Sequence, residues 1–94
     1  MPLGYSAEVK ALVAKAPKTL GNQLGRWSVH HAFSVSRIAK VTGATRQTVY
    51  SWITGGQVRQ GYHDRVKFLL ELLRTSPNAE QVWRKACLKF NLKP

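Results

Sequence analysis

Residues 33 to 56 constrain the fold of this chain more than any other segment. Ser34 and Thr45 are typical of residues that cap the start of a helix, and Gly43 lies between them, where a helix is expected to end. Glycine suits that position because the left-handed backbone that ends many helices disfavours a side chain. The pattern therefore predicts a helix-turn-helix, with its motif at residues 34–55.

The second helix of this motif is predicted to have one apolar face and one polar face. Val49 and Trp52 direct the apolar face to the core, and the small Ala39 allows the two helices to cross closely. The outward face carries side chains of types suited to a groove edge and a phosphate backbone: Arg46, Gln47, Tyr50, Ser51 and Thr54.

The roles of these polar residues remain partly open. Arginine pairs with guanine, and glutamine with adenine, through two parallel hydrogen bonds. For Arg46 or Gln47 alone, a phosphate contact is nearly as favourable as a base contact. Tyr50 has three possible roles, which are contact with a thymine methyl group, contact with a phosphate and packing on its own helix. The candidate phosphate contacts are the polar residues in and around the motif: Ser34, Arg37, Lys40, Thr48, Thr54 and Arg59, with Arg65 and Lys67 further along the chain.

The charge balance predicts a polyanionic partner. The chain has 15 Lys and Arg residues against 4 Asp and Glu residues, which gives a formal net charge of +11. Repulsion of this size is tolerated best when the usual partner carries the opposite charge. Double-stranded DNA is the partner we expect, and an anionic membrane or an acidic protein is the alternative. The basic run Lys85, Lys89 and Lys93 either extends the DNA contact or forms a solvated face.

Helix signals recur along the whole chain and strand-like alternation is scarce, so we expect an all-α fold of five to six helices. With 94 residues, of which 44% are hydrophobic, the chain is predicted to form one domain. Its compact core is expected at residues 19–74, with helices 7–16 and 79–90 as flanking additions. The predicted helices span residues 7–15, 20–31, 35–42, 46–54, 63–74 and 79–90, and residues 57–61 are predicted to form a loop.

Two further patterns concern packing. Gly21 and Gly25 lie one turn apart in a predicted helix, where each is expected to cost roughly 1 kcal/mol relative to alanine. The close approach of another helix would explain why they are tolerated. The three tryptophans fall on apolar stripes and are expected in the core: Trp27, Trp52 and Trp83.

Several function classes lack their sequence signals. Cys87 is the single cysteine, so we expect no internal disulfide and no cysteine zinc site. Four scattered carboxylates and three histidines form no recognisable catalytic set, and there is no glycine-rich phosphate loop. We therefore expect no enzyme, no metal, no cofactor and no small-molecule ligand. No segment has the length and apolar character of a signal peptide or a bilayer span, so we expect a cytoplasmic protein.

The region from residue 19 to residue 73 resembles the DNA-binding domain of lambda-type phage repressors and Cro proteins. The resemblance rests on a set of positions in and before the motif: Leu20, Leu24, Ser34, Ala39, Gly43, Val49 and Trp52. It implies that the helix after the turn enters the major groove of DNA and reads bases with its N-terminal residues. The base-reading positions that the resemblance implies are Thr45, Arg46, Gln47, Tyr50 and Ser51. The family often has a polar residue such as Gln where this chain has Val35, and Ser34 or Arg37 would then supply the phosphate contact.

Together the residues and the resemblance predict a sequence-specific DNA-binding protein of a bacterium or phage, which acts as a transcriptional repressor. One recognition helix covers few base pairs, so we expect a homodimer on two half-sites. Trp83, Cys87 and Phe90 of the last helix are the candidate dimer contact, and packing of that helix on its own domain is an equal alternative. Two other functions remain open: a DNA-recognition subunit of a phage packaging or recombination complex, and a basic inhibitor of an acidic partner protein.

Overall fold

A computed structural model describes residues 5–93, so residues 1–4 and 94 at the ends of the predicted domain lie outside the described residues. Within that range the chain forms six α-helices and no strand, which confirms the all-α prediction. The helices are α1 (Ala7–Lys15), α2 (Leu20–His31), α3 (Val35–Thr42), α4 (Arg46–Ile53), α5 (His63–Thr75) and α6 (Ala79–Phe90). None of these helices combines the length and the apolar composition needed to cross a bilayer.

The helix boundaries follow from local capping. Five helices begin after a side chain that accepts the backbone N–H three residues further on: Ser6, Thr19, Ser34, Thr45 and Asn78. Gly43 ends α3 with a φ of 81°, as the sequence predicts. Three details of the structure differ from the prediction. Helix α4 ends at Ile53 rather than at residue 54, and α5 ends at Thr75 rather than at residue 74. A short 3-10 turn at Gln60–Tyr62 leads from the predicted loop into α5.

Every α-helix contributes side chains to a single hydrophobic core, and the flanking helices α1 and α6 are part of it. Val13 of α1 is buried, and Val82, Trp83, Ala86 and Cys87 of α6 are buried in the same cluster. The rings of Phe33 and Trp83 lie 6.5 Å apart, which joins α6 to the start of the motif. A chain of this length has little apolar surface to spare, and the flanking helices supply a substantial part of it.

The crossing of α2 and α4 depends on two glycines. A Cβ atom at Gly21 would lie 2.6 Å from the Cβ of Trp52, and one at Gly25 would lie 2.5 Å from the Cβ of Ile53. Both distances are far below any normal contact, so no larger residue fits without moving the helices apart. The close approach expected from the sequence is confirmed.

The three tryptophans differ in burial. Trp52 and Trp83 are buried, as predicted. Trp27 is only partly buried: it packs against the edge of the core and also lines an open surface depression together with Arg26 and His30, so its assignment to the core is borne out only in part. Its indole stacks on the ring of His31, whose Nε2 is 2.7 Å from the Leu73 carbonyl of α5. The stacked rings of Trp27 and His31 therefore cover the junction of α2 and α5 on its outer side.

The N-terminal segment is held by a long-range hydrogen bond. The Tyr5 hydroxyl donates to the Phe33 carbonyl, 28 residues away. Burial raises the pKa of this hydroxyl well above its usual range, so it remains a neutral donor at physiological pH. This bond ties the start of α1 to the loop before α3.

Candidate nucleic-acid interface

The outer face of α4 is the candidate interface. All five predicted base-reading residues are exposed: Thr45, Arg46, Gln47, Tyr50 and Ser51. Their spacing along one helix brings them together on one side, because residues three and four apart are neighbours on a helix surface. Tyr50 is 42% exposed, so it does not pack into the core, and its two proposed DNA contacts and packing on its own helix all remain open.

Few of these polar groups are used within the domain. Thr45 Oγ1 accepts the N–H of Thr48 and lies 2.9 Å from the Thr48 hydroxyl. Thr54 Oγ1 donates to the Tyr50 carbonyl at 2.7 Å, so its proton is not directed outward to a phosphate. Among the described residues, the side chains of α4 and its caps that form hydrogen bonds are these threonines, which leaves Arg46 and Gln47 free to bind a partner.

A groove runs between α4 and the segment that follows it. Its volume is about 520 Å³, and its lining includes Gln47, Ser51, Gln57, Arg59 and Tyr62. The segment passes close to α4 at Gly56, where a Cβ would lie 2.5 Å from the Ser51 hydroxyl oxygen. The short Gly56 N–H to Ser51 carbonyl hydrogen bond, 2.7 Å long, holds this approach.

The sequence prediction missed Gln57 as a candidate contact. Gln57 is exposed on the wall of the groove that it shares with Gln47 and the predicted phosphate contact Arg59. A signal for it was available, since Gln57 directly follows the Gly55–Gly56 pair that comes after the predicted second helix of the motif. An amide at that point can donate to a phosphate or to a base edge.

The predicted phosphate contacts on α3 differ in their surroundings. Lys40 is exposed in the last turn of the helix. The Ser34 hydroxyl accepts the N–H of Arg37 as the N-cap, which leaves its own proton to donate. The Arg37 guanidinium bonds to Glu80 of α6 at 3.1 Å and lies 5.0 Å from the centre of the Trp83 ring. In this conformation Arg37 is therefore occupied by α6, whereas Ser34 and Lys40 are available.

The segment that forms this surface carries basic residues and no acidic ones. No Asp or Glu occurs between Glu8 and Asp64, a stretch that contains the whole of α2, α3 and α4 and carries eight Lys and Arg residues. The four acids of the chain lie on the other three helices, and two of them, Glu71 and Glu80, are ion-paired with Arg74 and Arg37. The outer face of α4 and the groove beside it thus have no carboxylate in their own sequence that would repel an anionic partner.

The residues proposed for a dimer contact pack within their own domain. Trp83 and Cys87 are buried in the core. Phe90 packs edge-on against Phe68, with the Arg65 guanidinium 4.4 Å from its ring centre. The same Arg65 donates to the Val41 carbonyl at the end of α3, so it supports the turn of the motif. A second subunit on α6 would have to use its outer side, where Leu88 is 80% exposed.

Within residues 5–93, no three His, Cys, Asp or Glu side chains lie close enough together to hold a metal ion. Comparison of the chain with models of known families, with characterised proteins and with solved structures finds no match.

Proposed function

We propose that this protein binds double-stranded DNA in a sequence-specific manner, with α4 as the recognition helix. The observation that carries the proposal is the outer face of α4, on which Arg46 and Gln47 are exposed and have no partner among the described residues. The major groove of B-form DNA is wide enough to admit one α-helix, and each base pair presents a distinct set of donors and acceptors there. An eight-residue helix with this face suits that groove.

The residues divide into two groups by the contacts that we assign to them. Arg46 and Gln47 lie in the first turn of α4 and bond to base edges, with Ser51 and Tyr50 one turn further along. Thr48, Gln57 and Arg59 lie beside them and contact the phosphates of one strand. Ser34 and Lys40 of α3 contact phosphates from the other side of the motif. Phosphate contacts fix the register of the protein, and base contacts supply the sequence preference.

The biological role that fits this binding is repression of transcription in the cytoplasm of a bacterium or a phage-infected cell. A small domain that occupies a promoter needs no catalytic group, and none of the assigned contacts involves a nucleophile or a metal. Specificity in a genome requires more base pairs than one helix covers, so we propose a two-fold dimer on half-sites about one helical turn apart.

Selection of bound DNA from a pool of random duplexes tests this proposal. A consensus of a few base pairs supports sequence-specific recognition, and a palindromic consensus supports the dimer. Recovery of duplexes without any enriched sequence contradicts sequence-specific binding and favours a role in packaging or recombination. Failure to retain duplex DNA at all contradicts the proposal and favours capture of an acidic protein.

A further inference from the structure

Asn22 joins three helices from a fully buried position in α2. Its Nδ2 group donates two hydrogen bonds, one to the Val13 carbonyl of α1 at 2.9 Å and one to the Ile53 carbonyl of α4 at 2.8 Å. The carbonyls at the end of a helix have no partner within it. Asn22 therefore provides a hydrogen-bond donor for the carbonyl of the last residue of the recognition helix, and it links that helix to α1.

The orientation of the Asn22 amide is itself fixed by Arg26, one turn further along α2. Arg26 Nε donates to Asn22 Oδ1 at 2.8 Å, and an Nη atom of the same guanidinium donates to the Ala14 carbonyl of α1 at 2.9 Å. The amide can only accept from Arg26 through its oxygen, so its NH2 group must point to the two carbonyls. The four hydrogen bonds form one connected network between α1, α2 and α4.

This network fixes the orientation of α4, which the apolar contacts between α2 and α4 do not. The contacts of Gly21 and Gly25 with α4 set how closely the two helices approach. Apolar contacts are non-directional, whereas a hydrogen bond has a preferred distance and angle, so it also fixes the rotation and the axial position of α4. Base contacts require a side chain to be held within about 0.5 Å of its productive position, while phosphate contacts carry no sequence information.

We infer that Asn22 is a positioning residue for the recognition helix, and that Arg26 and α1 support it in this role. The inference rests on the proposed function, because it concerns how α4 is presented to DNA. Loss of the network lets the C-terminal end of α4 move relative to α2, so base contacts weaken while phosphate contacts remain. Sequence preference then decreases more than overall affinity for DNA.

The test compares two variants with a matched control. Asn22→Ala removes the bonds to both carbonyls, and Arg26→Lys keeps the positive charge but loses the paired donors that orient Asn22. Val82→Ala is the control, because Val82 is fully buried in α6, which packs on α3 and α5. Each protein is measured at a temperature where circular dichroism shows it to be folded, and affinities are taken for the preferred duplex and for a scrambled one.

We expect the ratio of the two affinities to fall about tenfold for Asn22→Ala, the size of one lost base contact. Arg26→Lys should show a smaller fall in the same direction, and Val82→Ala should keep the wild-type ratio. If all three folded variants keep that ratio, or if Val82→Ala loses it as well, the network has only a structural role and the inference is overturned. If Asn22→Ala does not fold, the inference is tested by comparing the affinity ratio of Arg26→Lys with that of Val82→Ala.

A second readout on the free protein separates this inference from the proposed function. Amide hydrogen exchange at Trp52 and Ile53 should accelerate roughly tenfold in Asn22→Ala relative to exchange in α6, since the end of α4 is released locally. Equal acceleration in both helices overturns the inference whatever the DNA result. If instead wild-type protein shows no preference between duplexes, the proposed function fails, and the exchange data still decide whether Asn22 holds α4.

Discussion

The two faces of α4 obey different physical constraints. The inner face, formed by Val49, Trp52 and Ile53, is at most 2% exposed and meets α2 where Gly21 and Gly25 leave room for it. The outer face carries exposed polar side chains, with Arg46 and Gln47 unbonded within the described residues. The inner face therefore determines where the helix lies, and the outer face is free to determine what it binds. Substitutions on the two faces should separate stability from binding.

The largest effect is expected on the inner face, at Trp52. Trp52→Ala removes a buried indole that also contacts the Tyr62 ring, with the ring centres 5.1 Å apart. We expect the free energy of unfolding to fall by roughly 3–5 kcal/mol because a cavity opens in the core. Chemical denaturation measures it. A loss smaller than about 1 kcal/mol would mean that the crossing of α2 and α4 is not a main source of stability.

The next effect concerns the fit between α2 and α4. Gly25→Ala places a Cβ 2.5 Å from the Ile53 Cβ, so the helices must separate. We expect a loss of roughly 1–3 kcal/mol in the free energy of unfolding, in spite of the better helix propensity of alanine. Gly61→Ala is the control, because no atom lies within 4 Å of its added Cβ. Equal denaturation midpoints for the two variants would show that the crossing tolerates a side chain.

Substitutions on the outer face should change the affinity for DNA and leave the free energy of unfolding almost unchanged. Arg46→Ala is expected to lose roughly 1–3 kcal/mol of binding free energy on the preferred duplex, with relaxed preference at one base pair. Its unfolding free energy should stay within about 0.5 kcal/mol of wild type because the side chain is exposed. Lys40→Ala is the comparison, and it should weaken binding to preferred and scrambled duplexes equally. Identical behaviour of both variants on both duplexes would make Arg46 a phosphate contact.

The smallest expected effect is a gain in affinity for DNA. Glu80→Gln removes the exposed ion pair that holds Arg37 against α6 and also removes a negative charge. If Arg37 contacts a phosphate, affinity for any duplex should rise by about two- to fivefold, the range set by a surface pair worth up to about 1 kcal/mol. Fluorescence anisotropy at low salt can resolve this change. Unchanged affinity would assign Arg37 to the packing of α6 rather than to DNA.

Local features of this fold could be predicted from the sequence because they depend on neighbouring residues. The caps at Ser34 and Thr45 and the turn at Gly43 each involve residues at most four apart, and all three were predicted. The apolar positions Val49 and Trp52 were predicted for the same reason, since helical spacing alone places them on one face. The outward position of Arg46 and Gln47 then follows from the same periodicity.

The features that the sequence did not predict are contacts between distant residues. The bond from Asn22 to Ile53 spans 31 residues, and the pair of Arg37 with Glu80 spans 43. The helix at 79–90 was predicted correctly. Its apolar stripe, however, does not indicate whether that side of the helix packs on its own domain or on a second subunit. Only the packing of Trp83 beside Phe33 resolves that question for the buried side.

We propose that the α4 side of the molecule binds the phosphate backbone of DNA, since the segment from α2 to the end of α4 contains no acidic residue. The salt dependence of wild-type binding to a short duplex tests this proposal. If each subunit neutralises about 4 to 6 phosphates, the logarithm of the binding constant should fall against the logarithm of salt concentration with a slope of roughly −4 to −5 per subunit. A slope near zero between low and physiological salt would contradict the proposal.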